Sequence, residues 1–89
     1  MSFIPTTPAL LPVIAYLENG HAEILHEDRS QPASVVLTLK LPSGAIRTLT
    51  TSYEFLQTYL PEQISAYLEK HDFLRRLNEQ GNQHIAKKK

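Results

Sequence analysis

The sequence predicts a small α+β domain, in which an antiparallel sheet of two β-hairpins is covered on one face by a C-terminal helical segment. Three observations indicate this fold class. Apolar and polar residues alternate through residues 35–50, as is typical of half-buried strands. The dipeptide Asn19-Gly20 lies between two apolar runs, which is a strong signal for a tight hairpin turn. Through residues 52–80, apolar residues recur instead with helical spacing.

Length and composition indicate a single domain, which we expect to span residues 12–81. The 89 residues are 42% hydrophobic, which is enough for one globular core. The chain has no cysteine, which excludes a disulfide framework, a thiolate nucleophile and a Cys-ligated zinc. Its longest apolar stretch, residues 9–17, is far too short to span a membrane. We therefore expect a soluble cytoplasmic protein that does not bind a membrane.

Residues 1–11 are predicted to form an irregular N-terminal arm. Pro5 and Pro8 lack the backbone donor that the interior of a helix or a strand requires. The first hairpin should then cover about residues 13–27, with the Asn-Gly dipeptide in its turn, because a type I′ turn needs positive φ at both central residues.

A helix is the alternative for residues 12–20. Pro12 suits the first position of a helix, and Gly20 suits the cap at its C-terminal end. The sequence favours the hairpin, because Val13 and Tyr16 belong to residue types that form strands more readily than helices.

The second hairpin is predicted for residues 35–50. Its turn falls at residues 42–44, Pro-Ser-Gly, because proline presets φ for the first corner and glycine accepts the left-handed position that closes the turn. In the register that this turn sets, Leu37 opposes Leu49 on the buried face. Three threonines and Lys40 occupy the other face, on which Ile46 is the apolar exception. The pattern predicts a sheet with one face in solvent and one face covered.

The covering helical segment is predicted for about residues 52–80. Thr51 followed by Glu54 forms a capping-box pattern, so the helix should begin there. Pro61 should either kink the helix or begin a second one. Gly81 is expected to end the segment.

The residue types that carry catalysis or bind metals are not arranged for either purpose in this sequence. His21 and His26 are five residues apart, so on a strand they point to opposite faces. His71 lies on the apolar stripe of the predicted helix, which is typical of a packed histidine. The glycines are isolated, and the sequence has no Gly-x-Ser-x-Gly elbow and no phosphate-binding loop. We predict a protein that is not an enzyme and has no catalytic, cofactor-binding or metal-binding residues.

Binding of a protein partner is the predicted function, as a small adaptor, regulator or inhibitor. Tyrosine is favoured at protein interfaces, because one end of its side chain is apolar and the other end is polar. The predicted partner-binding residues are Tyr16, Ile46, Tyr53, Tyr59 and Tyr67. A homodimer is also predicted, because open sheet edges and the apolar residues of the arm need cover.

Nucleic-acid binding is the alternative, and it depends on the basic end of the chain. Residues 70–89 hold six basic residues against two acidic ones, a local net charge of +4. The plain interpretation of this charge is a solvated segment, with residues 82–89 as a basic disordered tail. The basic residues that would contact phosphate are Lys70, Arg75, Arg76, Lys87, Lys88 and Lys89.

Overall fold

The chain folds as an α+β domain, which confirms the predicted fold class. A computed structural model describes residues 3–85. After a short 3-10 helix (Pro8–Leu10), the elements in chain order are helix α1 (Leu11–Asn19), strands β1 (Glu23–Asp28), β2 (Ser34–Lys40) and β3 (Ile46–Ser52), helices α2 (Tyr53–Thr58), α3 (Pro61–Lys70) and α4 (Phe73–Gln80), and strand β4 (Gln83–Ile85).

The four strands form one mixed sheet in the order β1-β2-β3-β4. The β1–β2 and β2–β3 pairs are antiparallel, as predicted, whereas β4 lies parallel to β3. This parallel pair corrects the prediction of an antiparallel sheet. Parallel neighbours require a crossover connection between them, and helices α2, α3 and α4 supply that connection.

The β2–β3 hairpin confirms the predicted second hairpin. Gly44 has a φ of +94°, the left-handed conformation that the turn needs. Leu37 pairs with Leu49, and both are fully buried against the helices. Ile46 lies on the opposite face of the sheet and is 50% exposed. The helices therefore cover only one face, as the alternation of residues indicates.

The predicted first hairpin over residues 13–27 is wrong. The first half of that range belongs to α1, and β1 pairs with β2 rather than with the residues before it. The alternative helix describes this region correctly. Pro12 lies in the first turn of α1, and Gly20 is its C-cap, with its N–H bonded to the carbonyls of Tyr16 and Leu17.

Burial explains why a helix forms where strand propensity favours a hairpin. Val13, Ile14 and Leu17 are all buried in the core. On a strand, the neighbours Val13 and Ile14 would point to opposite faces, so one of them would meet solvent on a sheet covered on one side only. A helix holds all three within one buried face, and this burial outweighs the weak preference of single residues.

The C-terminal helical segment is broken at Pro61, as predicted. The first helix begins one residue later than the capping-box pattern indicates. Ser52 is the N-cap, and its hydroxyl accepts a hydrogen bond from the Phe55 N–H at 3.1 Å, while Thr51 is buried in β3. A second break, which was not predicted, occurs at residue 72, where Asp72 has a φ of +50°.

Gly81 follows the last residue of α4, as predicted. The predicted disordered tail is wrong for residues 83–85, which form β4, because Ile85 is buried in the core beside β3. The side chain of Asn82 supports this strand, since its carbonyl oxygen accepts a hydrogen bond from the Thr48 N–H at 2.9 Å. The rest of the predicted tail, residues 86–89, lies outside the described residues.

The N-terminal arm packs against its own domain. Leu10 is fully buried, and Phe3 packs against the core while its N–H donates to the Glu18 carboxylate at 3.0 Å. Thr7 donates from its hydroxyl to the Glu27 carboxylate at 2.9 Å and from its N–H at 3.2 Å. The arm therefore obtains cover from its own chain for Phe3 and Leu10, whereas Ile4 and Leu11 remain 85% and 55% exposed.

Candidate binding site between helices α2 and α3

A cavity of about 270 Å³ opens at the surface where α2 meets α3. The break before Pro61 creates it, because Tyr59 and Leu60 have extended backbone conformations between the two helices. The residues that line the cavity are Phe55, Tyr59, Gln63, Ala66, Tyr67 and Lys70.

Aromatic rings form the wall of the cavity. The Phe55 ring centroid lies 5.0 Å from that of Tyr59 and 5.1 Å from that of Tyr67. The Tyr67 ring is in turn 4.4 Å from the His71 ring and 5.8 Å from the Phe73 ring. Each pair of rings at such distances is worth about 0.5–1.5 kcal/mol beyond its buried area. Phe55 and Phe73 are buried, so the connected rings of Phe55, Tyr59, Tyr67, His71 and Phe73 join the cavity wall to the core.

Helix α3 presents its lining residues along one side. Gln63, Ala66, Tyr67 and Lys70 follow the i, i+3, i+4, i+7 spacing that places side chains on a single helix face. The Gln63 side-chain oxygen accepts a hydrogen bond from the Leu60 N–H at 2.8 Å, which caps the first turn of α3. Ala66 is small, so its position leaves room in front of the rings.

Among the residues that the structure describes, Lys70 is the only charged one that lines the cavity. The nearest acidic residue along α3, Glu69, lines a different cavity, next to α1. Among residues 3–85, the ion pairs join Arg75 to Asp72 at 3.0 Å and to Glu79 at 3.7 Å, so Lys70 takes part in none of them. The cavity therefore combines an apolar wall with one positive charge.

The predicted partner-binding residues fall in three different places. Tyr59 and Tyr67 both line the cavity. The Tyr16 hydroxyl accepts a hydrogen bond from the Leu74 N–H at 3.2 Å, and the half-buried Tyr53 packs against the core at the start of α2. Ile46 is on the open face of the sheet. The fold thus brings together two of the five.

Phe55, Gln63 and Ala66 are not among the predicted site residues, and Lys70 is predicted only for nucleic-acid binding. Each is an ordinary residue of an amphipathic helix, and only the meeting of two helices places them around one cavity. The available signal was the proline break itself, which lies between an aromatic-rich segment and a second amphipathic one.

The predicted nucleic-acid-binding residues are partly engaged within the chain. Arg75 pairs with Asp72, which precedes α4, and with Glu79 of α4. The Arg76 guanidinium lies 5.2 Å from the centroid of the Phe73 ring. Lys70 is exposed at the cavity. Lys87, Lys88 and Lys89 lie outside the described residues.

Two further cavities, of about 430 and 410 Å³, lie on either side of Gly20 and Leu74, which line both. Polar groups in the larger one contact each other, since the Ser43 hydroxyl donates to the Asn78 side-chain oxygen at 3.3 Å. The Ser30 N–H and then its hydroxyl lower the pKa of Asp28, at the end of β1.

Residues 3–85 contain no group of three or more His, Asp or Glu residues that could hold a metal ion. Within the same range, no helix has the length and apolar character needed to cross a membrane. Comparison of the chain with protein family models, with curated proteins and with solved structures found no match.

Proposed function

We propose that this protein is a non-enzymatic protein-binding module, an adaptor, regulator or inhibitor, and that its partner binds at the α2–α3 surface, by which we mean the cavity together with Leu60. The observation that carries the proposal is an apolar cavity bordered by large side chains that remain in solvent. Leu60 is 61% exposed and Tyr59 is 37% exposed. An apolar pocket with exposed aromatic and aliphatic neighbours is typical of the centre of a protein interface.

The size of the cavity favours a side chain of a partner over a cofactor. Pockets that enclose drug-sized ligands measure about 300–1,000 Å³, whereas this one measures about 270 Å³. An apolar cavity of about 150 Å³ is already large enough for benzene. The cavity therefore suits one anchor residue, and anchors of this kind supply most of the binding energy at protein interfaces.

Affinity capture with matched variants tests this proposal. Ala66→Trp fills the cavity from an exposed position of α3. Leu11→Ser is the control, because it changes an apolar side chain that is also exposed (55%) but lies on α1, away from the cavity lining. Immobilised wild-type protein and the Leu11→Ser variant should capture the same proteins from a lysate of the native host, and the Ala66→Trp variant should lose them. Identical sets of captured proteins for all three would contradict the proposal.

Binding of single-stranded nucleic acid is a second candidate. The ring centroids of Tyr67, His71 and Phe73 lie 4.4–6.4 Å apart. Tyr67 and Lys70 line the same cavity, and the Arg76 guanidinium lies over the Phe73 ring. Basic groups combined with aromatic rings are the means by which proteins hold single strands. A fluorescent twelve-residue oligo(dT) should then bind at low salt and dissociate as the salt concentration rises. Absence of binding at low salt would remove this candidate.

We also propose a homodimer and a cytoplasmic location. The absence of cysteine is consistent with a reducing compartment. Phe3 and Leu10 of the arm pack on their own domain, so we propose the open face of the sheet, and not the arm, as the dimer interface. That face exposes Ile46 and a half-buried strip of uncharged residues, Val36, Thr38, Thr48 and Thr50. Lys40, Glu23 and Asp28 lie on the same face, so it carries charges of both signs, which a second copy of the same face can pair symmetrically.

A further inference from the structure

We infer that the occupant of the cavity is an aromatic side chain on an acidic segment of the partner, with a carboxylate beside the anchor facing Lys70. The inference rests on the proposed function and adds to it the chemistry of the partner. It follows from two properties of the lining, the arrangement of its rings and the sign of its charge.

The rings around the cavity favour an aromatic anchor. Phe55 is inclined at 47° to Tyr59 and at 59° to Tyr67, so the wall already contains tilted aromatic pairs. A further ring in front of Ala66 would add contacts of the same kind, which an aliphatic side chain cannot make. The cavity is larger than one benzene ring requires, so such an anchor fits without displacing the wall.

The charge of the lining favours an acidic segment around that anchor. Lys70 lies one helical turn beyond Ala66 on the same face, and no carboxylate of residues 3–85 lines the cavity. Glu62 and Glu69 lie four residues before and three residues after Ala66, so they flank the lining face of α3, but neither lines the cavity. A carboxylate next to the anchor would meet Lys70, whereas an ammonium group there would meet a like charge.

Three small probes with one ring and different charges test the inference. They are 3-phenylpropionate, 3-phenylpropanol and 3-phenylpropylamine, each titrated into the full chain while the ring resonances of Tyr59 and Tyr67 are followed by NMR. We expect the carboxylate to bind about twofold to fivefold more tightly than the alcohol, as an exposed ion pair allows, and the amine to bind most weakly.

Two variants assign the preference to a residue. Lys70→Met keeps the apolar stem and removes the charge, so it should abolish the difference between carboxylate and alcohol while the alcohol still binds. Arg75→Met removes a cation from α4 that does not line this cavity, and it should leave the preference intact. Circular dichroism of both variants checks that the fold is retained.

The possible outcomes separate this inference from the proposed function. Equal affinities for all three probes, or a preference that Lys70→Met does not change, would overturn the inference and leave the protein-binding proposal standing. If no probe shifts the Tyr59 and Tyr67 resonances, the cavity does not accept an aromatic side chain, and the proposed site fails with the inference. Displacement of 3-phenylpropionate by oligo(dT) at low salt would overturn the inference in favour of nucleic acid.

Discussion

Thr51 places a hydroxyl in the middle of an otherwise apolar layer. Its side chain is fully buried, and Oγ1 has no hydrogen-bond partner among the described residues. In the sheet it pairs with Val35 on one side and with Ile85 on the other, both of which are fully buried. A buried hydroxyl without a partner costs about 1–3 kcal/mol of desolvation, so this position lowers the stability of the domain.

We expect Thr51→Val to raise the free energy of unfolding by about 1 kcal/mol, because valine has nearly the same shape and no group to desolvate. Urea denaturation measures the change. Thr50→Val is the matched control on the half-buried open face of the sheet, and it should change stability by no more than about 0.5 kcal/mol. A loss of stability in Thr51→Val would mean that the hydroxyl is hydrogen-bonded after all.

At the scale of elements, α1 and α4 meet through an unusually close contact at Gly20. A Cβ atom added to Gly20 would overlap Leu74 Cδ1 and lie 3.2 Å from Cδ2. The backbone at Gly20 has a φ of −88°, which any residue adopts, so glycine is required there for space and not for conformation. Gly20 is therefore both the C-cap of α1 and the residue against which the half-buried Leu74 of α4 packs.

We therefore expect Gly20→Ala to destabilise the protein by about 1 kcal/mol, the low end of overpacking costs, because the overlapped methyl group ends a half-buried leucine side chain that borders two cavities. In a Leu74→Ala background the same substitution should cost close to nothing, because the overlapping methyl group is gone. A double-mutant cycle measured by thermal denaturation gives the coupling between the two positions. If Gly20→Ala costs the same in both backgrounds, the effect belongs to the backbone and the contact is not its cause.

The elements differ in how far their sequences predict them. The β2–β3 hairpin follows from local signals, an alternating pattern and a Pro-Ser-Gly turn, so its register of Leu37 opposite Leu49 was predictable. Helix α1 was misread because single-residue propensity does not reveal which neighbours are buried together. Strand β4 has only three residues and forms because Gly81 redirects the chain beside β3. No local pattern marks such a strand.

The candidate site was predictable only in part, for the same reason. Tyr59 and Tyr67 were singled out because tyrosine itself suggests an interface, and Lys70 because of the basic end of the chain. What makes them one site is the distance between α2 and α3 on either side of Pro61, and that distance depends on how both helices pack on the sheet. A sequence indicates that a helix breaks, but it does not indicate which side chains the break brings together.

At the scale of the whole molecule, the open face of the sheet determines how strongly two copies can associate. The four strands contain six, seven, seven and three residues. At about 3.4 Å per residue and about 4.8 Å between strands, they make a face of roughly 375 Å². Two such faces in contact would bury about 750 Å², whereas stable protein interfaces bury about 1,200–2,000 Å². A dimer formed in this way should therefore be weak and depend on concentration.

We expect light scattering to give a mass close to 10.1 kDa when the protein is dilute, and a mass that rises toward twice that value as the concentration increases. Ile46→Lys places a charge in the exposed apolar position of the open face, so it should abolish the rise. Leu11→Lys is the matched control, since it adds the same charge at a position of similar exposure (55%) on α1. A monomer mass at all concentrations would exclude the homodimer, and equal effects of the two lysines would mean that net charge, and not this face, controls association.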